Sequence, residues 1–184
     1  MAAKRNTNRA HDRKPRQAAR MQGKSAPKSQ ITVREVPGER GVFELVYPAC
    51  VRARSDDMEE VHRMLEAGEI DVAVDELRWL LERCRALLEA HELLGRIALA
   101  AEDFDLARGH LAYAFELGSA ATAAQGLSGV LPSTRPANGP FFRAGRGLAE
   151  CLKRQGEASA AKRVVERLLA LDPRDSLGIR GVLE

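Results

Sequence analysis

Apolar and polar positions along this chain fall into three regimes. Residues 1–30 hold two Met and no Leu, Ile, Val or aromatic residue. Such a segment cannot bury enough apolar surface to offset chain entropy, so it is expected to be disordered when free. Residues 31–53 are β-prone. Ile31-Thr32-Val33 and Val42-Phe43-Glu44-Leu45-Val46-Tyr47 flank Pro37-Gly38-Glu39-Arg40-Gly41, which predicts a short hairpin or an extended strap. From residue 54 to residue 184 the period is helical.

Met58, Val61 and Leu65 form the stripe of a first helix. It opens at Asp56, with Glu59 completing a capping box, and closes at Gly68. A second helix runs from Asp71 to Cys84 through Ala73, Leu77, Leu80 and Leu81. A third runs from Leu87 to Ala101 through Ala90, Leu94, Ile97 and Ala98. A fourth runs from Phe104 to Leu117 through Ala107, Leu111, Ala114 and Phe115. Residues 118–139, rich in Ala, Gly, Ser and Pro, break the period. They read as an inserted loop, either functional or disordered. Pro140 suits the first turn of a fifth helix reaching Gln155, and a sixth spans Glu157 to Leu171, before Asp172-Pro173. Asp175 to Leu183 reads as a short closing helix.

The helical part repeats. Glu66-Ala67-Gly68-Glu69-Ile70-Asp71-Val72-Ala73 aligns with Ala100-Ala101-Glu102-Asp103-Phe104-Asp105-Leu106-Ala107, 34 residues later. A third copy is Arg154-Gln155-Gly156-Glu157-Ala158-Ser159-Ala160-Ala161. A fixed period of this length marks helical-repeat architectures. The second copy reads His91-x2-Leu94-Gly95-x2-Ala98, then Ala107-x3-Leu111. The third reads Gly145-x2-Leu148-Ala149-x2-Leu152, then Ala161-x3-Val165, then Pro173. The first keeps Ala73-x3-Leu77 but has Glu60-Val61 in place of Leu-Gly. Over residues 54–175 the chain therefore resembles a divergent tetratricopeptide-repeat (TPR) protein, with the Trp and Tyr positions of that pattern lost. The expected fold class is all-α: a short TPR-like solenoid of three helix pairs, with a disordered basic N-terminal arm and the hairpin or strap.

The resemblance implies a concave groove lined by the first helix of each pair, binding a partner segment. The positions it assigns there are Met58, His62 and Leu65 in the first copy and Glu89, Glu92, Arg96 and Leu99 in the second. In the third they are Arg143, Arg146, Glu150, Lys153 and Arg154. Met58, His62, Glu92 and Arg96 do not reproduce the Lys and Asn set with which some members of that family clamp a terminal carboxylate. The basic third copy instead suits an acidic partner.

Charge adds a second candidate. Lys4, Arg5, Arg9, Arg13, Lys14, Arg16, Arg20, Lys24 and Lys28 stand against one acid, Asp12, within residues 1–30, whereas the rest of the chain is mildly acidic. The arm either solubilises the protein or contacts nucleic-acid phosphates. Without aromatics, that contact would be salt-sensitive and blind to sequence. The leading expectation is a cytoplasmic interaction adaptor, and the alternative an RNA- or ribosome-associated protein docking through its arm.

Catalytic, metal and cofactor sites are not expected. His11, His62, His91 and His110 make no HxH or HExxH arrangement, and no Gly-rich phosphate loop follows a strand. Cys50, Cys84 and Cys151 are odd in number and have no CxxC spacing, which argues against a disulfide framework or zinc site and for a reducing compartment. No apolar run is long enough for a membrane span, and no apolar core follows the basic N-terminus, so neither a span nor a secretory signal is expected. Trp79 lies off its helix's stripe; the 31–48 strap is expected to cover it, the other reading being an exposed anchor for a partner.

Overall fold

The computed structural model describes residues 30–184. The described chain is mostly helical, with one two-stranded sheet. The elements are β1 (Thr32–Glu35), β2 (Phe43–Val46), α1 (Ala49–Arg52), α2 (Ser55–Glu66), α3 (Ile70–Arg83), α4 (Leu88–Ala100), α5 (Phe104–Gln125), α6 (Gly139–Arg154) and α7 (Ala158–Leu171), closed by a 3-10 turn at Arg180–Leu183. No helix among them is long and apolar enough to cross a membrane.

Three helical hairpins, α2–α3, α4–α5 and α6–α7, are built around one turn geometry. In each, a residue in the left-handed region closes the first helix: Gly68 at φ 78°, Glu102 at φ 60° and Gly156 at φ 80°. Each also has the same long backbone bond back into the first helix: Glu69 N to Met64 O (2.9 Å), Asp103 N to Ala98 O (2.9 Å) and Glu157 N to Leu152 O (2.8 Å). These are C-terminal caps that satisfy orphan carbonyls while reversing the chain. Four residues beyond each such donor, Ala73, Ala107 and Ala161 are fully buried. A bare methyl at that point lets the second helix lie close against the first.

Apolar side chains form two clusters that meet on α4. Leu88, Ala98 and Leu99 of α4 join the larger cluster, with the sheet and α5–α7, whereas Ala90, Leu93 and Leu94 join the smaller one, with α2 and α3. Helix α4 is consequently buried almost all round. At Gly95 an added Cβ would lie 2.5 Å from Leu111 Cγ, and at Gly145 2.7 Å from Leu168 Cδ1. Glycine is what lets α4 meet α5, and α6 meet α7, at those points.

Several sequence expectations change. Residues 118–125 are helix, not loop: α5 runs on to Gln125 and is capped by Gly126 at φ 57°. The Ala-rich composition favours helix. Gly118 is small because the Phe141 ring of α6 lies directly over it. The remainder, residues 126–138, is docked rather than an independent loop. Val130 pairs with Val42, and Leu131 is fully buried. Asn138, also fully buried, accepts from Leu45 N at 2.9 Å and donates to Phe43 O and Pro132 O at 3.2 and 3.0 Å. Together with the Val42–Val130 pairing, this side chain fastens the two-stranded sheet, marginal alone, to the rest of the fold.

The capping box does not form. Helix α2 begins at Ser55, so Asp56 and Asp57 sit inside its first turn, where the helix dipole favours them. Trp79 is not covered by the strap; it is 39% exposed, with the Arg83 guanidinium 4.3 Å and the Arg54 guanidinium 5.5 Å from its ring centre. Cys50 and Cys84 form a disulfide with their Cα atoms 5.8 Å apart, which corrects the expectation drawn from cysteine spacing. The chain runs out along α2 and returns along α3, so residues far apart in sequence meet at the open end of the hairpin. The argument for a reducing compartment from cysteine usage therefore falls.

Candidate functional site

Helices α2, α4 and α6, the first of each hairpin, are linked through a chain of charges among five of the expected positions, His62, Glu89, Glu92, Arg96 and Arg143. His62 Nε2 lies 3.2 Å from Glu89 Oε1. The Arg143 guanidinium reaches Glu89 at 3.4 Å and, through Nε, Glu92 Oε2 at 3.2 Å. Arg96 Nε completes the series 3.6 Å from Glu92 Oε1.

Glu92 is the unusual member, with a side chain only 1% exposed. Burial holds its carboxyl above the usual carboxylate range, and the charges of Arg143 and then Arg96 oppose that shift. Arg143 is correspondingly committed. The resemblance places it among the basic groove positions that suit an acidic partner. It is instead the internal counter-ion of two α4 carboxylates, information that spacing along α6 cannot carry. Arg154 is likewise held by Glu150, at 2.8 Å, one turn away. Arg146 and Lys153 are exposed and make no ion pair among the described residues.

Three hollows follow this face. The first, of about 300 Å³, is walled by Tyr47, Val51, Met58, Leu87, Leu88 and Pro140, with Glu59, His62, Glu89 and Arg52 at its edges. Tyr47 points its hydroxyl to Ala137 O at 2.8 Å. Burial first, and Glu89 second, raise its pKa well above the ordinary phenol value. The second hollow, about 160 Å³, lies between α4 and α6 over Leu99, Leu111 and Gly147, rimmed by Arg96, Arg143 and Arg146. The third, about 630 Å³, shares Arg146 and Glu150 with the second and adds Lys153, Arg154 and the C-terminal Gly178, Gly181 and Val182. The Glu89–Arg143 contact joins the first hollow to the second.

Of the groove positions, Met58 and Leu99 are buried with only an edge available, and Leu65 is half-buried in the smaller apolar cluster. Sequence reasoning missed the other wall of the first hollow. Tyr47, Val51 and Pro136 come from the strap, α1 and the 126–138 segment, which only tertiary docking places beside α2 and α4. The nine arm residues from Lys4 to Lys28 lie outside the described residues. No group of three or more metal-ligating side chains occurs among the described residues. No family model, curated protein or solved structure matches the chain.

Proposed function

We propose that this protein is a TPR-like binding module, not an enzyme, and that it holds an extended acidic segment of a partner protein across α2, α4 and α6. The observation that carries this reading is the division of charge on that face. Arg143 is taken by the Glu89 and Glu92 carboxylates and Arg154 pairs at the surface with Glu150, whereas Arg146 and Lys153 make no ion pair among the described residues and flank two joined hollows. Unpaired cations on a concave rim attract acidic side chains and steer their approach. The first hollow, about 300 Å³ with largely aliphatic walls, suits one apolar anchor of the same segment. An extended peptide that places an apolar side chain there and carboxylates beside Arg146 and Lys153 would use both ends of the face.

The three equivalent hairpin turns support the repeat part of the proposal. A selection from a random displayed peptide library tests the binding part. The reading expects recovered peptides enriched in Asp and Glu and carrying an aliphatic or aromatic residue. Their hydrogen-exchange footprint should fall on α2, α4 and α6. Peptides without acidic bias, or protection confined to α3, α5 and α7, would refute it.

A further inference from the structure

A different cluster lies on the other side of α4. Arg78 of α3, Arg85 of the α3–α4 connection, His91 of α4, and His110 and Tyr113 of α5 line one cleft of about 550 Å³, floored by Leu81 and Leu94. We propose that this cleft is a binding site for a phosphate monoester, distinct from the peptide groove and independent of that reading.

The donors come from four separate segments, so the fold assembles them rather than a single periodic face. Two guanidiniums, an imidazole and a phenol hydroxyl suit the oxygens of a phosphoryl group, and guanidinium forks match such oxygens in pairs. One carboxylate opposes them in the cleft, Glu82. Asp75 lies 3.4 Å from Arg78, but both side chains are largely exposed, so a stronger anion displaces that pair easily.

The histidines are wired for one of them to face the ligand. His91 Nδ1 and His110 Nδ1 lie 3.0 Å apart, so one carries the shared proton and the other accepts it. His91 is buried and held neutral: burial first, and then His110, push it down to about 4. A protonated His110 keeps the contact by donating Nδ1–H to His91. Its Nε2–H, which has no hydrogen-bond partner among the described residues, is then the ring donor left for an incoming anion in the cleft that His110 lines. Burial and then the Arg78 charge lower the affinity of His110 for its proton. A bound phosphoryl group offsets the Arg78 charge and so favours protonation, making binding stronger as pH falls.

The cleft is larger than a bare phosphate needs. Its floor is aliphatic, and Tyr113, 39% exposed, stands over it with its ring 4.6 Å from that of His91. An ester with an apolar or aromatic body uses this surface, which an inorganic ion cannot.

The test is a titration of the protein with phenyl phosphate, inorganic phosphate and phenol, followed by the ring resonances of His110 and the side chain of Arg85. Saturable shifts with phenyl phosphate are expected, together with an upward move of the His110 titration on saturation. Arg78→Ala/Arg85→Ala is expected to weaken binding by about tenfold or more. His110→Gln should remove the pH dependence of affinity, and Arg146→Glu/Lys153→Glu should leave binding unchanged. Phenyl phosphate binding more tightly than inorganic phosphate supports the monoester, and equal binding would overturn it in favour of a bare phosphate site. The proposal is overturned if no saturable shift occurs, if phenol shifts the same resonances as strongly, or if both arginines can be removed without loss while helical circular dichroism stays native.

Discussion

Arg143 Nε donates to Glu92 Oε2 across 3.2 Å, from an arginine side chain 37% exposed to a glutamate side chain 1% exposed. The pair locks α6 to α4 beneath the proposed groove. Arg143→Ala strands the Glu92 carboxylate in the interior with only Arg96 at its edge. Breaking such a pair is expected to cost about 3 kcal/mol, the low end for buried pairs because the guanidinium is partly in water. A chemical denaturation midpoint shift checks this.

The same carboxyl gives a pH signature. Its folded pKa is raised above the ordinary value of 4.5, so the stability linked to it is fully present below that value and is lost as pH rises through the folded one. Glu92→Gln removes this titration. Relative to wild type, the Gln variant is therefore expected to gain ground as pH rises from acid towards neutrality. Parallel pH-stability curves for the two proteins would contradict the assignment.

Glu102 occupies the left-handed turn position that Gly68 and Gly156 fill in the other two hairpins, at φ 60°. A side chain there strains the backbone by about 1 kcal/mol, which glycine relieves. Glu102→Gly should raise the melting temperature, while Gly68→Ala should lower it. Opposite signs at equivalent positions would follow only if the three turns share one geometry.

Two glycines of α5 separate packing from propensity. A Cβ at Gly118 would collide with the Phe141 ring, whereas one at Gly109 meets nothing within 4 Å. Gly118→Ala is expected to destabilise by about 1–3 kcal/mol. Gly109→Ala should stabilise by about 0.5–1 kcal/mol. Thermal melts of the two variants decide the matter, and a neutral Gly118→Ala would mean that this stretch does not pack as helix.

These cases mark what the sequence discloses. The hairpin ends were legible because Gly68, Gly156 and the buried alanines are local requirements of a tight helical turn. The extension of α5 was not. Gly118, Ser119 and Thr122 look like loop formers, but Gly118 makes room for Phe141, and Thr122 accepts a hydrogen bond from Arg167 at 3.0 Å. The resemblance implied a groove on the first helix of each pair, and contacts among His62, Glu89, Glu92, Arg96 and Arg143 link α2, α4 and α6. Which cations there are free could not be assigned from spacing, because Arg143 is neutralised by residues of another helix. The Cys50–Cys84 bond, the Asn138 fastening and the strap-side wall of the first hollow are all non-local, and no periodicity points to them.

The disulfide closes a loop with a sequence separation of 34 around α2 and α3. Removing such a link frees the unfolded chain and is expected to cost about 2–4 kcal/mol. Wild type should melt lower with added dithiothreitol, whereas Cys50→Ser should already be lowered and insensitive to it. A wild-type melt indifferent to reductant would show that the bond does not support the fold.

The central claim is that Arg146 and Lys153 receive acidic side chains of a bound segment. The direct measurement is the affinity and association rate of a selected acidic peptide for wild type and for Arg146→Glu/Lys153→Glu, at low and moderate salt, with circular dichroism confirming the fold of both. The account predicts a loss of at least about tenfold in affinity, much of it as slower association at low salt. A peptide that binds the doubly reversed protein with unchanged affinity would contradict it.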